Sequence, residues 1–431
     1  MTGMVQERAT ATAAQEVLAL RPARALPGVP ARLVLPRSER EPSLADELDR
    51  GFFGTSSEAI SSAAILAELE ASGLRGRGGA GFPAHIKWRG VAQASGERIV
   101  VANGHEGEPA SVKDRWLLTH RPHLVVDGLL LAACAVGATR AVLYVSHPTA
   151  VAAVRRAVAE VEAVGLVPDA VRLEVFEARG GYVAGEETAV CRAISGYPAL
   201  PVAKPPRPSE SGVDGLPTLV NNVETLAHAA WIRRYGAAAF RAAGTNLSPG
   251  TTLFTVSGST LQGGVVEAPL GVTVGDLVTT VGGSRSEIRG LLMGGWFGGV
   301  LRGDRSELRC CYAEVAATGS GLGCAAITVL GPGEDVLSVA ADIGAWFERE
   351  SARQCGVCRN GTRAIRDTLT KVADGDINPD HRDNLARWGT QLVGRGACAF
   401  LDGAATLARS VAGELMTAEN AGPVTTNGEN S

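Results

Sequence analysis

Two stretches of the 431-residue chain carry residue types suited to chemistry. GLRGRGGAG at 73–81 places five glycines in nine residues, with Arg75 and Arg77 among them and Lys87 shortly after. Glycine lets a backbone approach a ligand closely and turn successive N–H groups toward one anion. Arginine and lysine then balance phosphate charge. The spacing is neither the GxxxxGK[ST] loop nor a GxGxxG turn with a suitable acidic residue downstream, so a nucleotide site here belongs to another fold. A glycine-rich surface turn is the alternative that the loop alone leaves open. The second stretch, ESARQCGVCRNG at 350–361, sets Cys355 and Cys358 at C-x-x-C spacing, and Cys398 follows forty positions later. Thiolates so spaced ligate metal ions or iron–sulfur clusters, which usually want four ligands. Ordinary buried thiols are the competing reading.

Further polar groups lie between these stretches. ANGHEGEPASVKDR (102–115) contributes Asn103, Glu106, Glu108, Lys113 and Asp114. Carboxylates beside a glycine turn accept hydrogen bonds from ribose hydroxyls or amides, or simply form a solvated loop. In GEET (185–188), Glu186 and Glu187 stand where a helix begins, where acidic residues are favourable, so one of them is expected to be a cap. VAKPPRPSESG (202–212) is a proline-stiffened crossing with Lys204 and Arg207. TLVNNVETL (218–226) offers Asn221 and Asn222, side chains that bind an imide-like edge or stabilise a turn equally well.

The elements that must hold these residues alternate. HLVVDGLLLAACAVGA reads as a helix, RAVLYVS as a buried strand, PTAVAAVRRAVAEVEAVG as an amphipathic helix and VRLEVFEA as a strand. That order implies βαβ units and a mostly parallel sheet. The stretch 250–283 has short strands around glycine turns and one helix, as in a small β-grasp-type module, and after Asp335 the pattern is helical throughout. The expected layout is a loose segment over 1–48, an α/β domain over 49–240, a β-grasp domain over 241–330, a helical domain over 331–418 and a disordered tail over 419–431. A hydrophobic content of 45% and a net charge of −4 fit a globular protein and give no reason to expect nucleic acid. No run of 18 apolar residues exists, so membrane insertion is not expected. The first 30 residues, rich in Ala and Arg, do not read as a signal peptide. Eight irregularly spaced cysteines argue against a disulfide framework and for a reducing cytoplasm. Cys134, Cys191 and Cys324 read as core residues.

Taken in order, GLRGRGGAGFP with KW, EGEP with KDR, GEETA and VNNVETL resemble one family over roughly residues 50–415. It is the flavoprotein subunit of respiratory NADH dehydrogenase and of related NAD-linked hydrogenases and formate dehydrogenases. The resemblance implies an FMN site in a Rossmann-like domain, a β-grasp (SLBB-type) domain and a helical domain with a [4Fe–4S] cluster. It implies hydride transfer from NADH to FMN and single-electron transfer to a ferredoxin-like or thioredoxin-like iron–sulfur partner, in a cytoplasmic location compatible with the periphery of a membrane complex. By resemblance, the loop residues Gly76, Arg77, Gly78, Gly79 and Gly81, with Lys87, hold the FMN phosphate. Asn103 and Asn221 or Asn222 contact the flavin, Phe82 stacks on the nicotinamide nucleotide, and Glu108, Glu187 and Lys204 contact NADH. Cys355, Cys358 and Cys398 match three cluster ligands.

The departures from the family pattern matter. Ala352 stands at the first cluster ligand, His105 at an acidic position near the flavin, and Gly90 and Arg207 at two aromatic positions. Three thiolates leave a [3Fe–4S] cluster, a [4Fe–4S] cluster with a labile iron, or no cluster as the outcomes. Arg207 either meets a phosphate, such as the 2′-phosphate of NADPH, or is a solvated substitution. Two readings follow: an NAD(P)H-oxidising FMN flavoprotein, and a degenerate docking protein that has lost catalysis. A membrane-bound ion-pumping relative would carry CxxCxxCxxxCP runs, and this sequence has none.

Overall fold

The computed structural model describes residues 21–35, 42–54 and 61–420. The readings for 1–20 and 421–431 lie outside the described residues. The chain opens with a short strand β1 (Arg24–Ala25) and helix α1 (Leu44–Asp49), followed by α2 (Ser62–Ser72) and α3 (Ala84–Ala92), which flank the glycine loop. Strands and helices then alternate: β2 (Ile99–Gly104), α4 (Lys113–His120), α5 (Pro122–Val136), β3 (Arg140–Val145), α6 (Pro148–Ala163), β4 (Arg172–Glu177), α7 (Glu187–Ile194), β5 (Thr218–Asn222) and α8 (Val223–Tyr235). Pro122 and Pro148 sit in first turns, where the missing N–H costs no hydrogen bond. Gly137 closes α5 at a φ of 66°, a left-handed conformation that suits glycine.

Strands β2 to β5 form a four-stranded parallel sheet in the order β4-β3-β2-β5. Both faces are covered. Leu124, Leu129, Leu219 and Leu226 pack in the core on one side, and Val101, Val142, Tyr144 and Val190 in the core on the other. Burial on both faces accounts for the nearly unbroken apolar strands.

After α9 (Ala237–Arg241), a second, mixed sheet is built from β6 (Thr251–Gly258), β7 (Gly264–Pro269), β8 (Gly290–Met293), β9 (Val300–Arg302) and β10 (Ala326–Leu330), together with β1. Its order is β1-β7-β6-β10-β8-β9, accompanied by α10 (Val274–Thr280) and α11 (Tyr312–Ala317). Four helices follow: α12 (Val336–Glu350), α13 (Gly356–Ala373), α14 (Pro379–Gln391) and α15 (Phe400–Asn420). They pack through Ile343, Phe347, Ile365, Leu369, Leu385 and Leu407. Helix α15 thus runs to Asn420, two residues into the stretch read as a tail.

The described part of 1–48 is not loose, which corrects the sequence reading. β1 pairs in parallel with β7. Leu33 is fully buried, worth roughly 2 kcal/mol. The Glu267 carboxylate accepts hydrogen bonds from the amides of Arg32, Leu33 and Val34 at 3.0, 2.9 and 2.8 Å, and from the Thr251 hydroxyl at 2.7 Å. Buried Glu47 accepts from Arg121 Nε at 2.7 Å. One carboxylate on the mixed sheet thus organises a segment whose own composition has no periodicity. Glu267→Ala is expected to lower stability by roughly 2–4 kcal/mol, since several buried donors lose their acceptor. Hydrogen exchange at Leu33 and Val34 should accelerate with it, and unchanged protection there would show that Glu267 does not anchor the segment.

Candidate functional site

In the parallel sheet the chain adds β3 and β4 on one side of β2 and then returns to place β5 on the other. Connections on either side of that reversal leave a crevice at the carboxyl ends of the strands. Asn103, at the end of β2, lies in register with Asn222 of β5, and Ala102 with Asn221. A cavity of about 840 Å³ opens there, lined by the glycine loop, these asparagines, Glu108, Glu187, Lys204, Phe82 and Cys398.

The glycine loop is pinched at its base. Gly76 N–H donates to Phe82 O at 2.8 Å, and Ala84 N–H to Leu74 O at 2.9 Å. Between these bonds, the amides of Gly78, Gly79 and Ala80 have no protein acceptor among the described residues. Gly79 has a φ of 125°, and a Cβ there would meet nothing, because it would project into the open cavity. A Cβ on Gly81, at a φ of 60°, would lie 2.5 Å from the Tyr312 ring. A turn of unpaired amides facing an open crevice is an anion cradle.

Arg77 corrects one expectation. Its side chain is buried and turned away from the cavity, donating to the carbonyls of Arg75 at 2.8 Å and Thr251 at 2.9 Å. Its amide is taken by Thr225 Oγ1 at 2.9 Å. Arg77 therefore fastens the loop to the second sheet and offers nothing to a ligand. Lys113 and Glu224 are likewise interior. Lys113 Nζ lies 2.7 Å from Asp114 Oδ1 and 2.8 Å from Glu224 Oε2, with Lys113 and Glu224 fully buried. Burial alone would lower the lysine pKa, but Asp114 and Glu224 reverse this and hold it raised. Asn222 Nδ2 donates to Asp114 Oδ2 at 2.6 Å while its Oδ1 caps α8.

The other site residues converge on the cavity. Lys87 Nζ is 2.8 Å from Glu187, and Lys204 Nζ is 2.9 Å from both Glu186 and Glu187. Burial pushes the Glu187 carboxyl up, but the two lysines overcome it and hold it at about 2. Glu186 is the helix cap, accepting from Thr188 N–H at 2.8 Å. Asn103 Nδ2 donates to Gly185 O at 2.8 Å, and Asn221 Oδ1 accepts from Trp88 Nε1 at 3.0 Å. His105 Nε2 donates to Gly181 O at 3.1 Å. Phe82 is 45% exposed at the cavity wall, which leaves its ring free to stack on a ligand. Cys324 also lines this cavity, while Cys134 is exposed and Cys191 buried, so only Cys191 of these three is an ordinary core cysteine. Tyr182, Phe297 and Phe400 line the cavity as well, and no local motif signals this, because the chain brings them from three distant regions.

The cysteines of the helical region gather near the same cavity. Cys355 is the N-cap residue of α13 and Cys358 lies in its first turn. Cys358 Sγ is 3.4 Å from Ser351 Oγ, and its thiol is pushed up to about 11, chiefly by burial. Ala352 packs in the same apolar cluster as Cys355, Cys358 and Cys398. Among the described residues no group of three or more His, Cys, Asp or Glu side chains converges closely enough to hold a metal ion. The donor set is therefore three thiols and a methyl group, short of the four thiolates a [4Fe–4S] cluster takes.

Glu108 is buried at the cavity wall. Its Oε1 accepts from Trp296 N–H at 3.0 Å and Ala110 N–H at 3.2 Å, yet burial pushes it up to about 7 from 4.5. The unfolded chain ionises this group first, so stability falls as pH rises from about 4.5 to about 7 and stays reduced above that. At 1.36 kcal/mol per pKa unit, the loss is on the order of 3 kcal/mol. Glu108→Gln removes this loss. Relative to wild type, the variant should gain stability between about pH 5 and pH 8 in urea melts of the flavin-free chain. A difference that does not move with pH would refute the assignment.

Residues 69–231 match the Nuo51 FMN-binding domain, and residues 338–415 the NADH-ubiquinone oxidoreductase-F iron-sulfur binding region. The mitochondrial NADH dehydrogenase [ubiquinone] flavoprotein 1 of Dictyostelium discoideum is 34% identical over 358 residues, which is 79% of this chain and 75% of that protein. An NADH-quinone oxidoreductase subunit of Rhizobium meliloti is 32% identical over 354 residues, 79% of this chain and 84% of the relative. Among solved structures, an NAD+-reducing [NiFe]-hydrogenase in the air-oxidized state superposes with a TM-score of 0.76 at 32% identity. That match covers 86% of this chain and 65% of the hydrogenase chain. With its glycine cradle at the strand-order reversal and its sequence matched along most of its length, the chain belongs to the family of NADH dehydrogenase flavoprotein subunits.

Proposed function

We propose that this chain is an NAD(P)H-oxidising FMN subunit that passes electrons singly to an iron–sulfur partner protein, ferredoxin-like or thioredoxin-like. The observation that carries this reading is the cradle of unpaired amides at Gly78, Gly79 and Ala80, which opens into a cavity whose lining includes Cys398. FMN, when bound, accepts a hydride and releases electrons one at a time. The chain's own residues bind and orient. The glycine amides take the phosphate, with Lys87 beside them; Asn103 and Asn221 or Asn222 fix the ring; Phe82 presents its face to the nucleotide. Glu187 and Lys204 stand on the nucleotide side. Glu108 has Oε1 occupied by two amides, which leaves Oε2 to carry a proton that the group exchanges near neutral pH. Tyr182, Phe297 and Phe400 line the same cavity as Cys398 and make part of its wall apolar.

In this reading the mixed sheet is a β-grasp (SLBB-type) domain over 241–330, and the helices from 331 to 418 are the iron–sulfur-type domain. Cys355, Cys358 and Cys398 are the three thiols this domain could offer a cluster once drawn closer together, and Ala352 withholds a fourth. No described helix is long and apolar enough to cross a membrane, in keeping with a place at the periphery of a larger complex. The reading as a docking protein draws on Ala352 and on Gly90 and Arg207 at the two aromatic positions, but a docking role has no use for an unpaired amide cradle.

Reconstitution tests the proposal. The full chain should take up about one FMN, and Gly79→Val should abolish uptake, since its side chain would occupy the cradle. Retention of FMN by the variant would show that the loop is not the phosphate site. NAD(P)H should reduce artificial acceptors through the loaded protein; FMN uptake without such activity would favour the docking role. A second outcome concerns Ala352→Cys. This variant restores a four-thiolate set, so iron per chain should rise toward about four and a reduced-state paramagnetic signal should sharpen. If wild type already holds a full complement of iron and the substitution changes neither measure, a non-cysteine ligand completes the site.

A further inference from the structure

Within the cavity, the cations are unequally committed. Lys87 is engaged by Glu187, and Lys204 by Glu186 and Glu187. These two lysines and two glutamates balance. Arg207 also lines the cavity and is exposed, and its guanidinium has no hydrogen-bond or ion-pair partner among the described residues. Ser209, two residues on, lines the same wall, and its hydroxyl is equally unclaimed among the described residues. Glu210 turns back to accept from the Arg207 amide at 2.9 Å, which fixes the turn that presents both groups.

The carboxylates show the complementary pattern. Selection of NADH over NADPH commonly uses a carboxylate that accepts from the 2′-hydroxyl and repels a 2′-phosphate. Each carboxylate lining this cavity already accepts at least one bond from the protein. Glu106 accepts from Ser111 and two amides, Glu108 from two amides, Asp114 from Lys113 and Asn222, and Asp402 from Gly394 N–H. Glu186 and Glu187 are taken by the lysines. Among the described residues the cavity thus has a guanidinium with no protein partner and an unclaimed hydroxyl on the same wall, while each lining carboxylate already accepts at least one bond from the protein. A guanidinium fork matches a phosphate monoester and also stacks on a purine face.

We propose that Arg207 and Ser209 form a subsite for the 2′-phosphate of an adenine dinucleotide, so that the reductant this chain prefers is NADPH. The proposal rests on the cavity being the dinucleotide site, and the experiment separates the two. Binding of 2′,5′-ADP and of 5′-AMP to the FMN-loaded full chain is measured by calorimetry, and anaerobic bleaching of the flavin is titrated with NADPH and with NADH. The expected result is at least about tenfold tighter binding of 2′,5′-ADP, with a matching preference for NADPH, as a charge-assisted hydrogen bond supplies. Arg207→Gln should erase both preferences while FMN content stays constant, and Arg207→Lys should retain part of them. Equal binding of the two adenine nucleotides, or a preference that survives Arg207→Gln, overturns the subsite. If neither dinucleotide bleaches the flavin, the proposed function falls, whereas Arg207-dependent binding of 2′,5′-ADP would still uphold the phosphate subsite.

Discussion

The fully buried pair of Lys113 and Glu224 joins everything else together. Glu224 Oε1 also accepts from Thr252 Oγ1 at 2.7 Å and Leu253 N–H at 2.8 Å, near the start of the mixed sheet's β6. Arg77, on the glycine loop, lies 4.0 Å from the same oxygen, and Asp114 passes the network on to Asn222. A helix of the parallel sheet, the loop, the second sheet and the end of β5 therefore share one set of charges. Buried ions without partners are costly, so removal of any member leaves the others uncompensated. A loop built almost wholly of glycine and arginine has little apolar surface with which to hold its shape, and this network gives it a fixed base.

The same logic acts at lower strength around Glu187. Two lysines from separate elements meet on one partly exposed carboxylate, so the proline-rich crossing at 202–210 and the helix carrying Lys87 are tied across the mouth of the crevice. An incoming polyanion competes for these lysines. It can draw them from Glu187 without leaving a deeply buried charge alone, because water reaches all three groups. The interior network gives rigidity and the rim network gives adaptability, although both are built from lysine and glutamate.

Much of this was legible in the sequence. The strand and helix order of the α/β region, the short strands and helix of 250–283, and the terminal helices follow from the apolar pattern, because amphipathic helices bury one face while the parallel strands, buried on both, read as short apolar runs. The convergence of Asn103, Asn221, Lys87, Glu187 and Lys204 was legible only through the resemblance to the flavoprotein family, since each local motif allowed a bland alternative. Arg77 and Lys113 show what was not legible. A cation beside glycines looks the same whether it meets a ligand or a carbonyl across the core, and only tertiary contacts decide. The N-terminal segment was missed for a related reason. Its order comes from Glu267, a carboxylate 234 residues beyond Leu33, and no local pattern announces a partner at that distance. The aromatic wall behind the crevice was invisible because each ring comes from a different part of the chain.

That wall bears on how the chain can be divided. Tyr182, in the α/β region, lies face to face with Phe297 at 4.9 Å, edge-on to Trp346 at 5.2 Å and 5.5 Å from Phe400. One ring thereby touches the mixed-sheet region and two helices of the bundle. Interfaces between independently evolving modules are usually polar enough to survive separation. Here, severing the gene between sheet and bundle would leave stacked aromatic surface facing water on every fragment. The crevice and the three thiols are therefore parts of one packed body, and neither sheet nor bundle presents a finished surface without the other.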